Sequence, residues 1–129
     1  MSPETAVTPL EEVVTPTLDP KITYDDFTKV ELRIGVIKQA EKLEKSQKLM
    51  KLKVDLGEEA GPRQVIAGIA KRYTPDELIE KRIVVVANLA PAKLMGMESN
   101  GMLLAGSDSD GNLELVSVPD TLPAGSLVK

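Results

Sequence analysis

Residues 63–89 read RQVIAGIAKRYTPDELIEKRIVVVANL, and their order of strand, helix start and strand decides the predicted fold. Arg63–Ile69 has the apolar character of a strand, and Arg82–Leu89 is apolar on both faces, as central strands are. Between them, Thr74-Pro75-Asp76-Glu77 combines an N-cap, a proline at the first helical position and a capping-box glutamate. The stretch therefore predicts a short helix over 74–81 between two strands.

Two alternating segments precede this stretch. Apolar residues alternate with polar ones or glycine over Val30–Ile37, which predicts a half-buried strand, and Gly35 inside it suggests a bulge or a sharp bend. Leu49–Gly57 alternates again, with Lys51 and Lys53 on its outer side. If these two strands pair, Arg33, Lys51 and Lys53 share one outer face.

The segments that follow complete the strand count. Gly101–Gly106 is a predicted strand, 107–112 a hairpin turn, and Leu113–Val118 the strand that closes the hairpin. Three strands, one short helix and two or more further strands are the order of an OB-fold. We therefore predict an all-β protein, a five-stranded OB-fold barrel with a short helix between strands three and four and extra C-terminal strands.

The chain divides into a tail and one domain. Residues 1–20 hold four prolines and no helical or alternating period, so they are predicted to be a flexible tail or linker, and 21–129 the folded domain. At the start of the domain, Thr23 is a predicted N-cap for a helical turn that reaches Phe27.

Composition excludes several kinds of chemistry. The chain has no Cys and no His, so disulfides, zinc-thiolate sites and histidine bases are excluded, and we expect no metal site and no cofactor. No apolar run approaches the roughly 20 residues that span a bilayer, and the N-terminus lacks a basic region. We expect a cytoplasmic protein with no membrane partner.

Charge is uneven along the chain, whose net charge is −4. Residues 29–53 hold eight Lys and Arg against three Glu, which indicates a local polyanion site, although a solvated surface strip is the alternative. In an OB-fold, the loop between strands one and two and the loop between strands four and five meet at the ligand surface. Here these loops are 41–48 and 88–102, and neither carries an aromatic for base stacking. Recognition should therefore depend on the backbone shape of a folded RNA, and the methionines of 88–102 are either soft contacts or core filling.

Three motifs resemble those of the tRNA-binding domain family. They are Asp26-Phe27-X-Lys29-Val30-X-Leu32-Arg33-Ile34-Gly35, then Ser46-X-Lys48-Leu49, then Asn88-Leu89-X-Pro91-X-Lys93-X-X-Gly96-X-X-Ser99-X-Gly101-Met102. The family includes the C-terminal domain of bacterial methionyl-tRNA synthetases, free-standing tRNA-binding proteins and a small secretion chaperone. The resemblance implies a non-catalytic OB-fold dimer that binds tRNA by its shape and supports methionyl-tRNA synthetase in cis or in trans.

The resemblance also implies site residues and partners. The implied tRNA contacts are Arg33, Ser46, Lys48, Asn88, Lys93, Ser99 and Met102. The outer-face argument, independently of the family, adds Lys51, Lys53 and Arg63. The implied partners are tRNA, a second copy of the chain and a synthetase catalytic body, without DNA. The implied dimer interface is the segment Ile22–Phe27 together with the strands after Gly101.

Two other functions remain open. The first is the chaperone-like branch of the same family, a dimer whose cleft receives an unfolded peptide, which the methionines of 88–102 favour. The second is a hydrolase that uses Asp108, Asp110 or Glu98. The segment Asp108-Ser109-Asp110-Gly111 resembles the start of a calcium loop, but no bidentate Glu follows at the required spacing, so it is interpreted as a turn.

Overall fold

The computed structural model describes residues 20–129, and within them ten strands and two short helices follow one another. The helices are α1 (Tyr24–Thr28) and α2 (Pro75–Leu78). The strands are β1 (Leu32–Lys42), β2 (Met50–Asp55), β3 (Arg63–Ala67), β4 (Arg82–Val86), β5 (Ala92–Leu94), β6 (Met97–Ser99), β7 (Met102–Leu103), β8 (Ala105–Ser107), β9 (Leu113–Leu115) and β10 (Leu127–Val128). The prediction of a tail over 1–20 falls outside the described residues, apart from Pro20.

Five antiparallel strands form a nearly closed barrel in the order β3-β2-β1-β4-β7. The long strand β1 pairs with β4 over 32–36 and with β2 over 36–42, so it belongs to both walls of the barrel. The free edge of β3 meets the chain just before β7, where the Asn100 amide donates to the Gln64 carbonyl at 2.8 Å. With α2 between β3 and β4, this arrangement confirms the predicted OB-fold.

Gly35 acts through packing and not through a bulge. The register is regular at Gly35, which lies opposite Ile83, and the irregularity falls between Ile37 and Gln39, three residues later than the sequence suggested. A Cβ at position 35 would lie 2.5 Å from Cγ1 of Val54 and 3.0 Å from Cγ2 of Val85. The missing side chain lets core residues of β2 and β4 close over β1.

The helix α2 confirms the predicted start but is shorter than predicted. The Glu77 carboxylate accepts hydrogen bonds from the Thr74 amide at 2.8 Å and from its hydroxyl at 3.2 Å, which lowers the pKa of Glu77. The helix ends at Leu78, because Glu80 turns to a φ of 69° and its amide donates to the Ile37 carbonyl at 2.7 Å. Leu78 is fully buried in the aliphatic core.

Strand β2 confirms the predicted alternation. Met50, Leu52 and Val54 are fully buried, whereas Lys51 and Lys53 lie half-buried on the outer side. The predicted N-cap of α1 is also present, because the Thr23 hydroxyl accepts from the Asp26 amide at 3.1 Å.

The predicted fifth strand is divided in two. Strand β7 pairs with β4, and the chain then leaves the barrel at Leu104 and forms a separate hairpin, β8 with β9. Beyond β9, the Val84 amide donates to the Val116 carbonyl at 3.1 Å, so the residues after β9 take the place beside β4 that β8 leaves. Near the C-terminus, β10 pairs with the first residues of β1.

Within residues 20–129, neither helix has the length or apolar character needed to cross a bilayer.

The close packing around Gly35 predicts a destabilising Gly35→Ala substitution. The added methyl overpacks the core, so the free energy of unfolding should fall by about 1–3 kcal/mol. Gly106→Ala is the matched control, because its Cβ would meet nothing within 4 Å. The control should leave stability unchanged or raise it by less than about 1 kcal/mol. Urea denaturation measures both variants, and equal midpoints for Gly35→Ala and the parent chain would contradict the packing role.

Candidate nucleic-acid interface

The stretch 88–102, which was predicted only as a loop, contains a small β-hairpin. Strand β5 pairs with β6 in the register Lys93 opposite Glu98, and the two-residue turn is Met95-Gly96. Both turn residues have positive φ, 51° and 79°, the signature of a type I′ turn. The sequence signal for this hairpin was Gly96 between two short alternating segments, but Met95 at the first turn position made the turn hard to recognise.

The hairpin is held against the barrel by polar contacts to β3. Ser99 is 6% exposed, and its hydroxyl accepts a hydrogen bond from the Ile66 amide at 2.9 Å. The Gln64 side chain donates to the Glu98 carbonyl at 2.9 Å, and the Gln64 carbonyl accepts from the Asn100 amide. Ser99 was predicted as an RNA contact, and the structure shows it holding the hairpin. Gln64 was not among the predicted site residues.

These contacts also fix the direction in which the hairpin points. Asn100 contacts Gln64 and Ser99 contacts Ile66, so β6 runs antiparallel to β3. The hairpin tip at Met95-Gly96 therefore points toward the carboxyl end of β3. Gly68 lies at that end, and the aliphatic stem of Lys48 lies 3.8 Å from the position of a Gly68 Cβ. The two loops that were predicted to converge thus approach the same end of the barrel.

The loop between β1 and β2 presents Lys48 from a structured turn. The Ser46 hydroxyl accepts from the amides of Lys48 and Leu49 at 3.2 and 3.0 Å, so Ser46 shapes the turn. The Ala70 amide donates to the Lys48 carbonyl at 3.0 Å. Lys48 is exposed, as is Lys93 on the hairpin. Met102, on β7, is 45% exposed.

Lys51 and Lys53 lie together on the outer face of β2, but Arg33 does not join them. Lys51 lies opposite Glu41, with 3.6 Å between the charged groups, and Lys53 lies opposite Gln39. Arg33 lies beyond the end of the β1–β2 ladder, opposite residues of β4 and β10. The expectation of one shared face was therefore wrong for Arg33, because β1 leaves β2 before it reaches that residue.

Arg33 holds the C-terminal segment in place. Its guanidinium pairs with Glu31, and its Nη1 donates to the Gly125 carbonyl at 2.7 Å.

The polar groups of Arg63 and Asn88 also form hydrogen bonds within the protein. Arg63 donates to both carboxylate oxygens of Glu58, at 2.9 and 2.7 Å, and to the Ala87 carbonyl at 2.6 Å. The hydrogen bond from Arg63 lowers the pKa of Glu58. The side-chain amide of Asn88 accepts a hydrogen bond from the Glu31 backbone N–H at 2.8 Å and donates one to the Lys29 carbonyl at 2.7 Å. Both side chains thus position backbone, and RNA contact by either stays a prediction.

Of the acidic residues considered for hydrolysis, Asp108 and Asp110 belong to one turn, whereas Glu98 lies apart on β6. One Asp108 oxygen accepts from the amides of Asp110 and Asn112 at 3.0 and 2.9 Å, and the other accepts from the Asn112 side chain at 2.8 Å. These hydrogen bonds, led by that from the Asn112 side chain, lower the pKa of Asp108. Across residues 20–129, no cluster of three Asp or Glu could hold a metal ion. The interpretation of this segment as a turn is confirmed.

Comparison with known proteins gives one consistent family. A model of the tRNA binding domain family matches residues 32–127. The chain is 51% identical over 117 residues to the methionine–tRNA ligase of Helicobacter pylori, covering 91% of this chain and 18% of that ligase. It is 50% identical over 110 residues to the Bacillus subtilis ligase, covering 85% of this chain and 16% of that ligase. The chain therefore spans less than a fifth of the length of these relatives.

Solved structures agree with the family. The methionyl-tRNA-synthetase-related protein of Pyrococcus horikoshii superposes with a TM-score of 0.78 at 39% identity, covering 84% of this chain and 97% of that one. The chaperone CsaA of Bacillus anthracis superposes with a TM-score of 0.74 at 33% identity, covering 84% of this chain and 98% of that one.

Because Ser99 is buried and Lys93 is exposed, substitution of Ser99 should lower the stability of the protein, whereas substitution of Lys93 should not. Ser99→Ala removes the acceptor for the Ile66 amide and leaves that buried N–H unsatisfied, which should lower the free energy of unfolding by about 1–3 kcal/mol. Lys93→Ala, an exposed change on the same hairpin, should stay within about 0.5 kcal/mol. Thermal and urea denaturation compare the two variants. A fully stable Ser99→Ala protein would show that the hydroxyl does not hold the hairpin.

Proposed function

Because the chain belongs to the tRNA-binding domain family, we propose that it binds tRNA at the end of the barrel where the β5–β6 hairpin meets the loop 43–49. The observation that carries the proposal is this convergence. The hairpin is held along β3 with its tip toward Gly68, and the stem of Lys48 lies against Gly68. The exposed side chains of Lys48 and Lys93 offer positive charges to phosphates at this end of the barrel, and Lys51 and Lys53 extend the basic surface along β2.

The aromatic residues support recognition by shape. Tyr73 is 4% exposed and belongs to the core, and Tyr24 and Phe27 lie on α1, which precedes the opposite end of β1. The proposed surface therefore offers no aromatic platform for base stacking. Contacts to the phosphates and riboses of a folded RNA are the mode that these residues support.

The relatives suggest where such binding is used. The matched domain is a non-catalytic binding module, and the ligases that share it are about five times as long as this chain. We propose that the domain supports methionyl-tRNA synthetase, in cis or in trans, by adding RNA contacts to those of the catalytic body. Such added contacts raise affinity through effective concentration, without any change at the catalytic site.

An exposed apolar surface supports a homodimer. Ile22 and Tyr24 are 68% and 74% exposed, Phe27 and Val30 lie close to them in the chain, and Leu127 on β10 is 54% exposed. Strand β10 pairs with the start of β1, directly after this segment. Apolar side chains grouped in this way are typical of a protein interface. A dimer would present two RNA sites at once.

A second candidate is the binding of unfolded peptide. The structural similarity to CsaA chaperones favours it, as do the exposed apolar side chains at and beside the hairpin. These side chains are Leu89, Leu94, Met95 and Met102, each at least 40% exposed. The same surface would then bind apolar segments through adaptable side chains.

The dimer proposal predicts a solution mass of twice 13.9 kDa. Tyr24→Asp places a charge in the exposed apolar surface, at a helix start where an acid is tolerated, and should shift the protein toward monomer. Ile79→Asp is the control, because Ile79 is a 43% exposed apolar residue after α2. Sedimentation equilibrium measures both. A monomeric parent chain would contradict the proposal.

The tRNA proposal predicts binding that weakens steeply with salt. A gel-shift titration with mixed tRNA should give a log–log slope of several units, and Lys48→Ala and Lys93→Ala should each weaken binding about fivefold to tenfold near 0.1 M salt. Neither change should alter the dimer mass. Lys29→Ala is the control, because its side chain is 78% exposed beside the opposite end of β1. Failure to bind tRNA at low salt, with an unfolded polypeptide held instead, would favour the peptide function.

A further inference from the structure

A basic cleft lies beside the proposed RNA surface. It opens between the segment that follows β3 and the tip of the β8–β9 hairpin, with a volume of about 500 Å³. Its lining residues include Lys48 from the loop 43–49, Gly68, Lys71 and Arg72 from the segment that follows β3, and Asn112 from the hairpin. Since Lys48 borders both surfaces, the cleft continues the proposed RNA surface past the end of β3.

The hairpin wall of the cleft is held rigidly. Arg72 donates to the Leu113 carbonyl at 3.0 Å and pairs with the Glu114 carboxylate at 2.7 Å. Its guanidinium also lies 4.4 Å from the centre of the Tyr73 ring. The Tyr73 hydroxyl in turn accepts from the Leu115 amide at 3.0 Å. Arg72 is therefore committed to fixing the hairpin and leaves recognition to its neighbours.

Two lysines at the cleft keep their charges available. Lys48 and Lys71 are exposed, and neither forms an ion pair with another residue of 20–129. The one carboxylate that lines the cleft, Glu114, is neutralised by Arg72. In the hairpin turn, the Asp108 oxygens accept hydrogen bonds from the amides of Asp110 and Asn112 and from the Asn112 side chain, and Asp108 does not line the cleft. The balance at the cleft favours an anion.

Gly68 provides an independent indication of a ligand. Its φ lies outside the left-handed region, and a Cβ there would meet only the stem of Lys48, at an ordinary 3.8 Å. Neither backbone conformation nor internal packing therefore requires glycine at this position. A glycine without an internal reason, at the rim of a basic cleft, is typical of a site where another backbone approaches closely.

We propose that this cleft binds a phosphate of the tRNA backbone between Lys48 and Lys71, with the ribose-phosphate chain passing over Gly68. The proposal deepens the tRNA-binding function and rests on it. It makes Lys71 an RNA-contacting residue and Gly68 the point of closest approach. It also gives the β8–β9 hairpin a function, as the outer wall that limits the path of the RNA.

The test is a salt series of tRNA titrations on the full chain. Lys71→Ala should weaken binding about fivefold to tenfold near 0.1 M salt and reduce the log–log slope by about one, the loss of one phosphate contact. Gly68→Val should weaken binding through its bulk. Both variants should keep the thermal midpoint of the parent chain, and Lys29→Ala should keep its affinity.

The outcomes separate this inference from the wider proposal. If the parent chain binds tRNA and both Lys71→Ala and Gly68→Val bind equally well with an unchanged slope, the cleft is not on the RNA path and the tRNA function stands. If the parent chain does not bind tRNA, the tRNA function fails, and inorganic pyrophosphate then decides the cleft. Amide shifts in NMR spectra at Gly68 and Lys71 on adding pyrophosphate would support an anion site, and their absence would overturn it.

Discussion

One buried hydroxyl connects the barrel to the proposed binding surface. The Ser99 side chain accepts the Ile66 amide from the edge of β3, at a point where the barrel has no further strand to pair with that edge. This contact, with the two from Gln64, satisfies an edge that would otherwise be open and sets the direction of the β5–β6 hairpin. Closure of the barrel and orientation of the binding loop therefore depend on the same few atoms.

The polar residues of the site form two groups: side chains that hydrogen-bond within the protein, and lysines whose charges face solvent. Ser46, Ser99 and Asn88 use their hydrogen-bonding groups on backbone, and Arg63 divides its donors between the Ala87 carbonyl and the Glu58 carboxylate. The lysines Lys48, Lys71 and Lys93 leave their ammonium groups in solvent. A surface built this way holds its shape without RNA and offers flexible charges to phosphates. It is suited to the shape of a folded nucleic acid more than to a base sequence.

Local sequence patterns predicted most of the fold. The alternation of Met50 to Leu56, the capping box of Thr74 and Glu77 and the apolar run before Asn88 each depend on neighbours in the chain, and the structure has all three. The order of three strands, one short helix and further strands then predicted the OB-fold. The resemblance to a family added the expected ligand.

The features that the sequence did not predict depend on contacts between residues that are far apart in the chain. The bulge at Lys38 lies within the pairing of β1 with β2, and Arg33 is separated from Lys51 because β1 pairs with β4, and not with β2, at that residue. Asn88 meets Lys29 across 59 positions of chain, and Arg72 meets Glu114 across 42. Pairings of this kind follow from register and closure, which no local period encodes. The basic cleft at Lys71 was missed because half of its wall comes from the β8–β9 hairpin.

Hydrogen exchange with and without tRNA tests the central claim most directly. If the hairpin and the basic loop form the binding surface, tRNA should slow amide exchange in 92–99, in 43–53 and in 68–72. Exchange in α1, which precedes the opposite end of β1, should not change. Protection confined to α1 and β10, with the hairpin unaffected, would contradict the account.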